Sequence, residues 1–126
     1  MNGVFTMPEK LKEALIEMAE SMGWIWRDCT DGSIELENWS PAGEDLNVSL
    51  YEKDVIREMR QYANDFDPDE HAEMWIEVRG TRGVPKSIRT LIDDADEIEK
   101  MLETLADAFE EVEKTFRYGH RQCFQT

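Results

Sequence analysis

The chain has 126 residues and a formal net charge of −15, from 29 acidic and 14 basic residues. This length predicts one domain with a single modest core, covering residues 1–126. Because 40% of the residues are hydrophobic and four are tryptophan, wholesale disorder is excluded. The acidic balance argues against direct binding to nucleic acid or to an anionic membrane, since the net field repels both.

The composition also predicts where the protein works. No run of about 18 apolar residues occurs, so we expect no membrane span. The first dozen residues lack the charged and then apolar layout of a signal peptide. Cys29 and Cys123 form no CxxC pair and are too few for a disulfide scaffold. These features together predict a cytoplasmic protein.

The first half of the chain predicts a helix followed by a three-stranded antiparallel meander. An amphipathic helix is expected from Pro8 to Met22, with apolar residues at helical spacing and glutamates on the other face. Asp31-Gly32 is typical of a tight hairpin turn, and Ser40–Asp45 has the composition of a loop. The expected strands are Trp24–Asp28, Ser33–Trp39 and Leu46–Tyr51.

Helical periodicity returns from Glu52 to Phe66. Another helix is then predicted to start here, with Asp67 as its N-cap and Pro68 in its first turn. Within that segment Met74–Val78 also alternates like a strand, so both readings stay open. Gly80–Pro85 predicts a break.

The last element carries the most regular pattern in the chain. An unbroken heptad stripe runs from Leu91 to Phe116, and its width favours packing on the chain's own sheet, although a helical dimer stays open. Asp93-Asp94 followed by Glu97 could cap a new helix, which would split Lys86–Ile92 from a long helix over Asp94–Phe116. The stripe consists of Leu91, Ala95, Ile98, Leu102, Leu105, Phe109, Val112 and Phe116.

The pattern as a whole predicts an α+β fold: an N-terminal helix, a three-stranded antiparallel sheet, then two or three helices including a long acidic C-terminal helix. We expect the apolar face of the sheet to pack on the heptad stripe.

No catalytic or metal-binding constellation stands out. The cluster from Asp67 to His71 is better explained by helix capping, because His71 has no second ligand at the spacing of an HExxH site. His71 and His120 are the only histidines, and neither lies near a recognisable nucleophile motif. The sequence therefore predicts no enzyme activity, no catalytic residues, no metal and no cofactor.

The acidic helix is the strongest functional feature. Ten acids and two lysines lie between Asp93 and Lys114, about one acid per 3 Å, which is close to the phosphate spacing of one nucleic-acid strand. This favours binding to a basic groove of a protein partner, although acidity for solubility alone remains an alternative. Trp39 precedes a loop and breaks the inward face of its strand, so it is a candidate anchor. The candidate partner-binding residues are Glu99, Glu103, Asp107, Glu110, Glu111 and Trp39.

Two strings, WSPAGED from Trp39 and FDPDEHAEMW from Phe66, occur with a later Gly-Val-Pro and Asp-Asp-Ala segment. On these strings the chain resembles small uncharacterised acidic proteins carried by phages and conjugative elements of gut bacteria. The resemblance covers about Asn38 to Ala108 and implies a mobile-element context without an activity. Such elements also encode anti-CRISPR and anti-restriction proteins, which this chain is similar to in size and charge.

Two hypotheses of function follow. The first is a non-enzymatic, acidic protein-binding inhibitor that occupies a basic nucleic-acid-binding groove, for example of a defence nuclease. The alternative is a structural or regulatory subunit of a mobile element that forms a helical homodimer through the stripe from Leu91 to Phe116.

Overall fold

The computed structural model describes residues 7–79 and 88–125, so the break expected at Gly80–Pro85 lies outside the described residues. The observed order confirms the predicted α+β class. In chain order the elements are α1 (Glu9–Ser21), β1 (Ile25–Asp28), β2 (Ser33–Trp39), β3 (Asp45–Tyr51), a 3₁₀ turn (Glu52–Asp54), α2 (Val55–Asp65), α3 (Pro68–Arg79) and α4 (Ile88–Gln125).

The sheet is an antiparallel meander with β2 in the centre. Leu36 of β2 lies opposite Trp26 of β1 and Val48 of β3. The turn between β1 and β2 contains Gly32 at φ +86°, a left-handed conformation that side chains rarely adopt and that the predicted Asp31-Gly32 hairpin requires. Successive side chains of β2 and β3 alternate between the two faces, and one face only is buried.

The helices cover the buried face of the sheet, so the fold has a helical layer on a sheet layer. Ile34 and Leu36 are fully buried and belong to the same core cluster as Leu15 of α1 and Met59 of α2. The ring of Trp26 lies 6.3 Å from the ring of Phe109 of α4, measured between centroids. The core is therefore shared by the sheet and by helices that lie far apart in the chain.

The heptad stripe of α4 packs inside the domain, as predicted. Six of its residues are buried, and Val112 and Phe116 are half-buried against the core. A dimer through this stripe would require α4 to leave the domain, because its apolar side chains already contact the protein's own elements. The buried residues of the stripe are Leu91, Ala95, Ile98, Leu102, Leu105 and Phe109.

Two alternatives from the sequence are wrong. The helix is not split at Asp93-Asp94, since α4 continues through this pair from Ile88 to Gln125. Asp94 instead points into the protein and is 7% exposed, bound to a loop rather than to a helix N-terminus. Met74–Val78 is not a strand, because it continues α3.

Among the described residues, no helix is both long enough and apolar enough to cross a lipid bilayer.

Candidate functional site

The solvent side of α4 presents a row of carboxylates. Helical geometry places them along about 27 Å, from Asp93 to Glu111, at about 1.5 Å of rise per residue. Lys100 is the exposed cation among them, and Glu99 is half-buried at the edge of the row. We call the exposed acids of this row the α4 acidic face: Asp93, Asp96, Glu97, Glu103, Asp107, Glu110 and Glu111.

Part of the α4 acidic face is neutralised by α2. The guanidinium of Arg60 donates to both carboxylate oxygens of Glu110, at 2.8 and 2.9 Å, and to the carboxylate of Asp107. The hydrogen bonds from Arg60 lower the pKa of Glu110, and the two acids raise the pKa of Arg60. These two predicted binding residues therefore also hold α2 against α4.

Two members of the α4 acidic face, Glu103 and Glu111, make no ion pair with the described residues. Glu103 and Glu111 are exposed and make neither an ion pair nor a side-chain hydrogen bond in that part of the chain. Glu97, by contrast, forms an ion pair with Lys100 of the next helical turn, and 3.2 Å separates its carboxylate oxygen from the Lys100 Nζ. The carboxylates of Glu103 and Glu111 are therefore available to cations of a partner, because no ion pair within residues 7–79 and 88–117 neutralises them.

Trp39 is exposed, as predicted, with 47% of its surface accessible. It lies on the sheet face that carries Glu35 and Glu37, opposite to the face of Ile34 that packs in the core. Trp39 is therefore available to a partner on the outer face of the sheet. On this outer face a hydrogen bond with the Glu37 carboxyl raises the pKa of Asp45.

The Ser40–Asp45 loop is held in place by α4. Asp94 accepts hydrogen bonds from the Ser40 hydroxyl at 2.6 Å and from the Ala42 backbone N–H at 2.9 Å. Gly43 closes the turn at φ +94°, and its N–H donates to the Ser40 carbonyl at 2.8 Å. Sequence reasoning missed this contact, because 54 residues separate Ser40 from Asp94 and no local pattern links them.

His71 holds the same loop from α3. Its Nε2 lies 2.7 Å from a carboxylate oxygen of Glu44, and this close carboxylate raises the pKa of His71. Asp67 caps α3 as predicted, accepting hydrogen bonds from the backbone N–H groups of Asp69 and Glu70. Residues 7–79 and 88–125 contain no group of three or more potential metal ligands.

No protein family, curated protein or solved structure matches the chain. The candidate function therefore depends on the geometry and charge of the described surface.

Proposed function

We propose that the protein is a non-enzymatic, acidic protein-binding module that places the α4 acidic face in a basic, nucleic-acid-binding groove of its target. The observation that carries this proposal is the line of exposed carboxylates along one continuous helix. Seven such side chains lie between Asp93 and Glu111, which is about one per 4 Å, close to the spacing of phosphates along a nucleic-acid strand.

Rigidity favours the same proposal. Because α4 is continuous and its inner side lies in the core, the carboxylates keep a fixed spacing, and little conformational entropy is lost on binding. Like charges along one helix face destabilise the helix slightly, so a face on which seven acids surround one lysine is not what stability alone favours. Glu103 and Glu111 are the strongest candidates, since Arg60 already binds Asp107 and Glu110.

The resemblance to proteins of phages and conjugative elements supports a target among the nucleic-acid-binding defence proteins of a bacterial host. A protein that fills the groove of such a nuclease would inhibit it by competing with DNA or RNA. The attraction is electrostatic, so we expect affinity to fall steeply with salt, as it does for nucleic acid itself.

The test is competition with a matched charge control. The wild-type protein is used to capture a basic partner from host lysate, and its displacement of labelled duplex DNA from that partner is then measured at about 0.15 M salt. The double variant Glu103→Lys/Glu111→Lys should displace DNA at least about tenfold more weakly. The control Glu73→Lys/Glu77→Lys changes the charge equally on exposed positions of α3 and should stay within about twofold of wild type. Failure to displace DNA, or equal weakening by both variants, would contradict the proposal.

A further inference from the structure

An apolar groove lies beside the α4 acidic face, between α1 and α4. Its volume is about 400 Å³, and more of its lining is apolar than polar. The floor is formed by Ala14 and Met18 of α1 and by Val112 and Phe116 of α4. We call this feature the α1–α4 groove. It is large enough to hold one or two apolar side chains of another molecule.

The residues of the groove floor contact the core on one side and line the groove on the other. Val112 and Phe116 pack with their inner sides against the core and stay half-buried, and Met18 is half-buried as well. Their outer sides form a continuous apolar strip, and covering such a strip releases water and stabilises a complex. Met18 adds adaptability, since its flexible thioether side chain adjusts to different apolar partners.

The rim of the groove is acidic on both sides. Glu17 of α1 and Glu111 of α4 line the groove and are exposed, and within the described residues neither pairs with a cation. Glu13 and Glu20 continue the negative charge along the exposed side of α1. The nearby Arg117 is bound to Glu113 at 3.2 Å. An apolar floor between two negative rims is complementary to an apolar side chain flanked by lysine or arginine.

The same charges oppose a second copy of the chain. Another copy would bring its own charge of −15 against the acidic rims, and the repulsion would act against any apolar contact. A neutral apolar segment would leave Glu17 and Glu111 partly desolvated and unpaired. Charge complementarity therefore selects a basic occupant.

We propose that the α1–α4 groove binds a basic amphipathic segment of the partner, with an apolar side chain on the floor and cationic side chains beside Glu17 and Glu111. This inference rests on the proposed function and deepens it. The α4 acidic face attracts the basic partner, and the groove supplies the apolar anchor that non-specific charge attraction lacks.

The test uses a defined probe, a peptide of about 14 residues in which leucine and lysine alternate at the spacing of an amphipathic helix. Binding is followed by NMR at about 0.15 M salt. The backbone amide signals of the groove-lining residues are read in every variant, and the methyl signals of Met18 and Val112 are read in addition in the wild type. The variant Met18→Gln/Val112→Thr keeps the side-chain size and removes apolar surface. The control Met74→Gln makes the same kind of change at an exposed position on α3.

We expect the peptide to shift the Met18 and Val112 signals and to bind about tenfold more weakly to the groove variant, the loss typical of one apolar anchor. The Met74→Gln control should bind like wild type. Dispersed NMR spectra establish that each variant is folded. A second variant, Glu17→Gln/Glu111→Gln, leaves the floor intact and should weaken binding of the peptide more than Glu73→Gln/Glu77→Gln does.

Three results of the peptide experiment would contradict the proposal that the α1–α4 groove binds a basic amphipathic segment. They are unchanged affinity of the Met18→Gln/Val112→Thr variant, equal binding of a peptide with serine in place of leucine, and methyl shifts that depend on the concentration of the protein alone. The last result would identify a second copy as the occupant. If Met18→Gln/Val112→Thr, which leaves every acid in place, keeps DNA displacement while Glu103→Lys/Glu111→Lys loses it, the groove proposal is wrong and the proposed function stands. If Glu103→Lys/Glu111→Lys displaces DNA as well as the wild type does, the proposed function is wrong, whatever the peptide experiment shows.

Discussion

Asp94 is a buried carboxylate whose partners both come from one loop. It receives hydrogen bonds from the Ser40 hydroxyl and the Ala42 N–H, and both Asp94 and Ser40 are less than 9% exposed. Removing this acceptor leaves the buried Ser40 hydroxyl without its partner and exposes the Ala42 N–H to water only in part, and unpaired buried donors are destabilising. The Ser40–Asp45 loop therefore depends on one side chain of α4.

We predict that Asp94→Ala lowers the free energy of unfolding by about 2 kcal/mol, the loss expected for one buried and one part-buried hydrogen bond to a charged acceptor. Urea denaturation measures the change. Asp93→Ala is the matched control, because Asp93 is the adjacent residue and its carboxylate is exposed. This substitution should change the stability by less than about 0.5 kcal/mol. Equal effects of the two substitutions would contradict the role of Asp94.

His71 makes the stability of the protein depend on pH. The carboxylate of Glu44, and more weakly that of Asp94, raises the pKa of His71 above its ordinary value of 6.5. The folded protein therefore holds this proton more tightly than the unfolded chain does. The resulting stabilisation is complete below the unfolded pKa of about 6.5 and is lost as the pH rises through the folded pKa.

The prediction is that His71→Gln destabilises the protein more at about pH 5.5 than at about pH 9, where wild-type His71 is neutral. Unfolding in urea at both pH values tests it, and an NMR titration of the imidazole reports the pKa directly. Glu44→Gln should lower the pKa of His71 and remove most of the pH dependence. A difference between wild type and His71→Gln that is the same at both pH values would exclude this mechanism.

At the scale of elements, Arg60 is a link between α2 and α4. Its guanidinium binds Asp107 and Glu110 across the helix interface. The acids are about half exposed or more, so water and salt weaken the pairs. The same ion pairs reduce the negative charge that the α4 acidic face presents to a partner. Arg60 therefore affects both the stability of the fold and the charge available for binding.

We predict that Arg60→Ala lowers the free energy of unfolding by about 1 kcal/mol at low salt, and by less at about 1 M NaCl, where exposed pairs are screened. Arg57→Ala is the control, since Arg57 pairs with Asp54 of the same helical segment and is 76% exposed. It should change stability by about 0.3 kcal/mol. Thermal denaturation at both salt concentrations measures the two changes, and an Arg60 effect that does not fall with salt would refute the ionic link.

At the scale of the whole molecule, α4 is the element on which the other elements pack. Leu105 is fully buried and belongs to the core cluster that contains residues of α1, α2 and all the buried strand positions. Ile92 lies on the same helix but is 42% exposed. The two side chains have the same composition and differ in burial, so they separate core packing from helix propensity.

Leu105→Ala should lower the free energy of unfolding by about 3 kcal/mol, through the cavity that it leaves. Ile92→Ala should cost less than about 1 kcal/mol, because 42% of Ile92 is already exposed to water in the folded protein and the substitution leaves no enclosed cavity. Urea denaturation followed by circular dichroism distinguishes them. Similar losses would mean that the helix, rather than its place in the core, sets the stability.

The sequence by itself determined the elements and the face that each buries, because both follow from local periodicity. The heptad spacing from Leu91 to Phe116 places those residues on one side of a helix, and the alternation around Ile34 and Leu36 does the same for a strand. The exposure of Trp39 followed from the same alternation. The predicted α+β class, strand order and use of the stripe in the core were confirmed on this basis.

Tertiary structure alone decided which charges have partners. Asp94 was expected as a possible cap and is instead the buried acceptor for a loop 52–54 residues away. Arg60 selects two of the predicted binding acids and leaves Glu103 and Glu111 without a cation among the described residues. Pairing between distant residues depends on how elements pack in three dimensions, and local sequence patterns carry no record of it.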